Sequence, residues 1–103
     1  MDGYTKVAAV GDIAPGSMKT VRVGVSAVAL ANVDGEFFAI GDVCSHQQCS
    51  LGSEGALDGN VVICGCHGSQ FDVGTGHVMA PPATQDVPTY DVKIDGGNVW
   101  VKG

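Results

Sequence analysis

The sequence predicts an all-β domain of antiparallel sandwich or barrel type, and three observations carry that expectation. Short β-prone runs recur along the chain with turn-forming residues between them. Three Asp-Gly turns each lead into such a run. No stretch of comparable length repeats its apolar residues at the helical period. In order, the first runs are Val7 to Val10, Thr20 to Val23 and Val28 to Leu30, separated by Asp12-Ile13-Ala14-Pro15-Gly16 and by Gly24. Asn32-Val33-Asp34-Gly35 then leads into Glu36-Phe37-Phe38-Ala39-Ile40, and the Asp-Gly pair supplies the positive φ that a tight hairpin requires. Leu57-Asp58-Gly59-Asn60 does the same before Val61-Val62-Ile63, and Asp95-Gly96-Gly97-Asn98 before Val99-Trp100-Val101. Tyr90, Val92 and Ile94 alternate with Asp91, Lys93 and Asp95, which predicts one strand with a buried and a wet face. The segments least like strands are Gly41 to Gly55, Cys64 to Gly68 and Val73 to Pro82.

A chain of 103 residues without repeats, low-complexity tracts or linker composition is expected to form one domain over residues 1–103. Apolar types at 45% against charged types at 16% fit a packed globule and argue against disorder. Five basic residues against eleven acidic ones leave a formal charge of −6, the wrong sign for nucleic acid or anionic lipid. The longest nearly apolar stretch, Val25 to Ala31, falls far short of the roughly 20 residues that span a bilayer, and no basic segment precedes an apolar leader. The expectation is a soluble, cytoplasmic protein without a nucleic-acid or membrane partner.

All four cysteines and all three histidines lie in the segments least like strands. They form Cys44-Ser45-His46 with Cys49, then Cys64-Gly65-Cys66-His67, and a separate His77. Thiolate and imidazole presented together from two loops suit zinc or iron–sulfur chemistry, whereas calcium and magnesium want oxygen ligands. One Cys and one His from each loop would close a tetrahedral zinc site. Structural zinc sites commonly pair like ligands a few residues apart, however, and here each loop mixes the two types.

The spacing resembles that of the Rieske family, in which two cysteines hold one iron of a [2Fe-2S] cluster and two histidines hold the other. Cys44-Ser45-His46 is followed by seventeen residues and then by Cys64-Gly65-Cys66-His67, matching the family pattern C-x-H, a long spacer and C-x2-H. The likeness runs on through Gly68-Ser69-Gln70-Phe71-Asp72 and into Pro81-Pro82, a segment that covers the cluster in this family. It implies a Rieske-type antiparallel β sandwich whose cluster-binding subdomain is formed by two loops, with Cys44, His46, Cys64 and His67 as ligands.

Ligand type then sets the redox chemistry. Two ferric ions, two sulfides, two thiolates and two neutral imidazoles sum to zero charge, where four thiolates would leave two negative charges, so histidine ligation raises the potential into a range of about −150 to +300 mV. Ser69 occupies the position from which high-potential members donate a hydroxyl bond to a bridging sulfide. Phe71 occupies the place of their tyrosine and has no hydroxyl. A potential below the respiratory type follows. Cys49 and Cys66 fall where respiratory members carry a disulfide joining the two loops, a pair that many soluble Rieske ferredoxins lack. The alternatives are that bridge and two buried reduced thiols, since the cytosol keeps thiols reduced.

The remaining residues have plainer readings. His77 follows a turn and reads as an exposed bystander, Trp100 between two valines as a core anchor, and the scattered acids Asp34, Glu36, Asp42, Glu54, Asp58, Asp72, Asp86 and Asp95 as a solvated face that steers a basic partner. Gln47 and Gln48 beside His46 are candidates for partner contact. The chain has no room for the mononuclear iron domain of an oxygenase, and Met1 to Lys6 leads straight into the first strand without an anchor, so a free carrier is expected. It is similar to the Rieske-type ferredoxins of bacterial aromatic-ring-hydroxylating dioxygenase systems, above all in the run from Met79 to Ile94. Such ferredoxins pass single electrons from an NAD(P)H-dependent flavoprotein reductase to the terminal oxygenase and are not themselves enzymes. Systems of the carbazole or naphthalene type are candidates. The electron would enter the histidine-bound iron and leave by the imidazole edges of His46 and His67. Contact with each partner would be brief, over less than about 1,200 Å², and the carrier a monomer. The competing readings are the Rieske small subunit of an assimilatory nitrite reductase, which would co-purify with one large partner, and a colourless zinc-binding interaction module.

Overall fold

Val28, Ala29, Leu30 and Ala31 are all fully buried, and this two-sided burial organises the fold. Side chains alternate along a strand, so an unbroken buried run needs cover on both faces. The computed structural model describes residues 3–43, 49–66, 68–81 and 85–102. Among these, the elements run β1 (Tyr4–Ala9), β2 (Met18–Val23), β3 (Ser26–Val33), β4 (Glu36–Gly41), α1 (Leu51–Glu54), β5 (Ala56–Asp58), β6 (Val61–Ile63), β7 (Gln70–Asp72), β8 (Val78–Ala80), β9 (Thr89–Tyr90), β10 (Val92–Asp95) and β11 (Asn98–Lys102). They form three antiparallel sheets of order β1-β11-β10, β2-β3-β4-β9 and β5-β6-β7-β8. The sheet containing β3 is the middle layer. Val28 and Leu30 pack with Val21, Phe37, Val99 and Val101 toward the first sheet, while Ala29 and Ala31 pack with Leu51, Val62, Phe71 and Val73 toward the third. The all-β antiparallel expectation is borne out, with the third sheet as an added layer.

Local chemistry sets the turns. Asp34 and Gly35 take φ of 52° and 92° between β3 and β4, the paired positive values of a tight hairpin. The Asp12 carboxylate accepts a bond of 2.9 Å from the Ala9 N–H, so the first strand stops at Ala9 and Val10 enters a 3-10 turn, Val10–Asp12, instead of extending it. The alternating run at Tyr90 is not one strand. β9 pairs with β4, the chain crosses at Asp91, and β10 pairs with β11 in another sheet, leaving Ile94 53% exposed. Trp100 is no core anchor either: Val99 and Val101 turn inward, so Trp100 must face outward, in register between Lys6 and Lys93. Strand β8 lies within a stretch expected to be loop, and α1 within another.

Candidate metal centre

The third sheet and the end of β4 present two loops to each other. The first leaves β4 at Asp42-Val43 and returns at Cys49-Ser50. Its root is closed by an isolated bridge between Val43 and Ser50 and by the Leu51 N–H donating to the Asp42 carbonyl at 2.6 Å. Ser50 caps α1 by accepting from the Ser53 N–H at 3.1 Å, and Leu51 plugs the core beneath.

A polar hub fastens this root to β2. The Thr20 hydroxyl lies 2.9 Å from Asp42 Oδ1, 2.9 Å from Ser50 Oγ and 2.9 Å from Ser53 Oγ. A hydroxyl has one donor and two acceptor sites, so donation to Asp42 and acceptance from both serines saturates Thr20. Asp42 Oδ1 also accepts from the Gly52 N–H at 2.8 Å. Asp42, read from sequence as part of a solvated face, is only 4% exposed. Neither Thr20 nor Asp42 carries a signal in the sequence, since the two stand 22 positions apart.

The second loop joins β6 to β7. Its turn is closed by the Cys64 N–H donating to the Ser69 carbonyl at 2.7 Å and the Gly68 N–H donating to the Cys64 carbonyl at 3.0 Å. Cys64 is 2% exposed and Ser69 is fully buried. Phe71, also fully buried, pairs with Val62 across the sheet. Position 65 needs glycine because a Cβ there would run into the Glu54 carbonyl oxygen at the end of α1, so the two loops touch through backbone. They are also joined covalently by a Cys49–Cys66 disulfide with a Cα–Cα distance of 6.5 Å. Cys64 is the free cysteine of the described residues, and its sulfur and those of Cys49 and Cys66 lie within 4.8 Å of one another.

A third segment flanks this pair. Asp72 Oδ1 accepts from the Gly74 and Thr75 N–H groups, turning the chain into β8. Asp86 Oδ1 accepts from the Val78 N–H at 2.9 Å and lies 3.1 Å from His77 Nδ1, which pins the base of the segment that follows β8. The Val78 N–H, and then His77, hold the Asp86 carboxyl below its ordinary carboxylate pKa. His77 is therefore paired, though 68% exposed, and stands outside the sulfur group. Pro81 is exposed and, with Val78, Met79 and Ala80, lines an open hollow of about 230 Å³. Cys44, His46, Gln47, Gln48, His67 and Pro82 lie outside the described residues.

The donor chemistry suits an iron–sulfur group. A buried soft thiol stands at the mouth of a tight turn, and the neighbouring sulfurs are withheld from coordination by their own bond. Comparison with known proteins agrees. The Rieske [2Fe-2S] domain family matches residues 3–91. The biphenyl dioxygenase ferredoxin subunit of Pseudomonas sp. (strain KKS102) is 42% identical over 98 residues, covering 95% of this chain and 90% of that one. Among solved structures, a complex of reduced oxygenase and oxidized ferredoxin in carbazole 1,9a-dioxygenase matches with a TM-score of 0.92 at 38% identity, covering 100% of this chain and 95% of the other. The ferredoxin of carbazole 1,9a-dioxygenase from Nocardioides aromaticivorans IC177 also gives 0.92, at 28% identity and 97% coverage of both chains.

Proposed function

The chain belongs to the Rieske [2Fe-2S] family, and on that premise we propose that it is the one-electron carrier of a bacterial aromatic-ring-hydroxylating dioxygenase system, fed by an NAD(P)H-dependent flavoprotein reductase and discharging to the terminal oxygenase. One observation carries the reading: the likeness to dioxygenase ferredoxins extends over nearly the whole of both chains. When bound, the cluster supplies reversible one-electron chemistry. Cys64, with Cys44, would hold one iron, and His46 with His67 the other.

The chain's own residues keep that site from moving. Burial of Cys64 excludes water from its sulfur. The Thr20–Asp42 hub fastens the root of the first loop, the Cys64–Ser69 bond closes the turn of the second, and the disulfide with the Gly65–Glu54 contact ties the two together. A carrier benefits because donors that stay in place between redox states reorganise little. Fully buried Ser69 is the candidate hydroxyl donor to a bridging sulfide, while Phe71 supplies no donor. Pro81 and Pro82 would cover the cluster, and Gln47 and Gln48 would meet the partner. No helix among the described residues is long and apolar enough to cross a membrane. The carrier works as a single-domain monomer in the cytoplasm.

The reading is tested by iron and acid-labile sulfide analysis with optical and electron paramagnetic resonance spectra of fresh protein, followed by reconstitution with a reductase and an oxygenase. Expected are a red-brown protein, a rhombic signal on reduction, and NAD(P)H-driven hydroxylation that stops when this chain is left out. A colourless zinc-loaded protein overturns it.

A further inference from the structure

We infer that Cys64 and the Cys49–Cys66 disulfide form an internal thiol–disulfide exchange pair, which captures the Cys64 sulfur when the cluster is removed. The inference rests on the proposed role of Cys64 as an iron ligand. Its carrying observation is that the free sulfur and both bridged sulfurs lie within 4.8 Å of one another. Exchange proceeds by attack of a thiolate on a disulfide sulfur. Here nucleophile and disulfide are held side by side by the two loops, so no encounter is needed and a side-chain rotation suffices. Iron bound to Cys64 engages the attacking electron pair and blocks the step.

The step balances internally. The Cys64 thiolate attacks the Cys49 sulfur, a Cys49–Cys64 bond forms, the Cys49–Cys66 bond breaks, and the Cys66 sulfur departs with the electron pair as the new thiolate. No oxidant or reductant is consumed, and the number of free thiols is unchanged. Burial chooses the direction. Cys66 is exposed, whereas Cys49 is half-buried, so the leaving charge at Cys66 is solvated by water. Attack on Cys66 instead would leave the charge on Cys49 and close a small ring across Gly65 alone. The product has lost a ligand thiol, and reloading then requires a dithiol reductant. The bridge that fixes the loops while iron is present thus becomes the lock that keeps iron out after it is lost.

Thiol mapping of the full chain tests this. Intact holoprotein is alkylated without denaturation. A second sample is stripped anaerobically with an iron chelator, freed of sulfide, held for about an hour, the time range of uncatalysed disulfide rearrangement, then acid-quenched, alkylated with N-ethylmaleimide and mapped by mass spectrometry. In holoprotein Cys64 should be protected. Immediately after stripping the label should fall on Cys44 and Cys64, and with time the Cys64 share should move to Cys66, with Cys64 labelling reduced by about half or more and the thiol total constant. Label that stays on Cys64 overturns the exchange and leaves the ligand assignment standing. Alkylation of Cys64 in intact holoprotein overturns the ligand assignment, and the exchange with it.

Discussion

Replacing Thr20 with valine removes one hydroxyl and keeps the β-branched shape, so it isolates the hub from the strand that carries it. Three oxygens at 2.9 Å lose their common partner, and Asp42 Oδ1, on a carboxylate only 4% exposed, is left with the Gly52 N–H. A hydrogen bond to a charged group contributes about 1.5–3 kcal/mol, and since Thr20 is only half-buried the lower end applies. About 1.5 kcal/mol corresponds to roughly a tenfold change in the population of the opened loop. The assay is the rate at which the visible absorbance of holoprotein bleaches in moderate urea, because the first loop must open before iron escapes. Thr20→Val should bleach about tenfold faster than wild type. Thr20→Ser keeps the hydroxyl and loses a methyl worth about 0.8 kcal/mol at full burial, so it should bleach less than about fourfold faster. Equal rates for wild type and Thr20→Val, or a serine variant as fast as the valine one, would refute the hub as the anchor of the loop.

Three further outcomes are expected. Cys49→Ser/Cys66→Ser opens a bridge between residues 17 apart, and the chain-entropy relation puts the loss at about 3 kcal/mol, read as a lower urea midpoint with a steeper slope, since the unbridged denatured chain exposes more surface. Asp86 has a folded pKa below its unfolded one, so it contributes stability above the ordinary carboxylate range that is lost as pH falls through the folded value. Asp86→Asn should therefore be less stable than wild type at neutral pH, with the gap closing below about pH 4 in a denaturation series; a constant gap refutes the assignment. Phe71→Tyr places a hydroxyl where the chain has none, and a hydrogen bond of about 1 kcal/mol to a sulfide would raise the potential by about 40 mV in voltammetry; no rise would remove Phe71 from the determinants of potential.

What the sequence disclosed and what it withheld divide by range. The hairpin at Asp34-Gly35 was legible because its signal is local: φ values of 52° and 92° suit Asp and Gly and few other residues. β5, β7 and β8 were not, because three residues are too few to display a period and their partners lie elsewhere in the chain. The Tyr90 to Ile94 alternation misleads because a period of two persists while the chain changes sheets, and Trp100 because hydrophobicity alone does not reveal that both of its neighbours turn inward. The cysteine and histidine spacing pointed to the family through chemistry that a linear pattern can hold. Thr20 and Asp42 could not be found that way, since a hydroxyl and a carboxylate 22 positions apart mean nothing until β2 and β4 both pair with β3.

The same division explains why a small chain can hold a site so far from its sequence-local structure. The two loops have little core of their own; Leu51 and Cys64 join a cluster that Ala29, Ala31 and Ile40 supply from the middle sheet. Loosening that sheet on its far side, where Val28 and Leu30 meet Val99 and Val101, would therefore act on the cluster loops through β3 and through β2 and β4 beside it. Because β3 is buried on both faces, it cannot shift toward one core without opening the other, and close-packed interiors resist such displacement. The rigidity that an electron carrier needs at its loops thus originates in a strand buried on both faces, and small side chains at 29 and 31 are what let the loop-bearing sheet approach it.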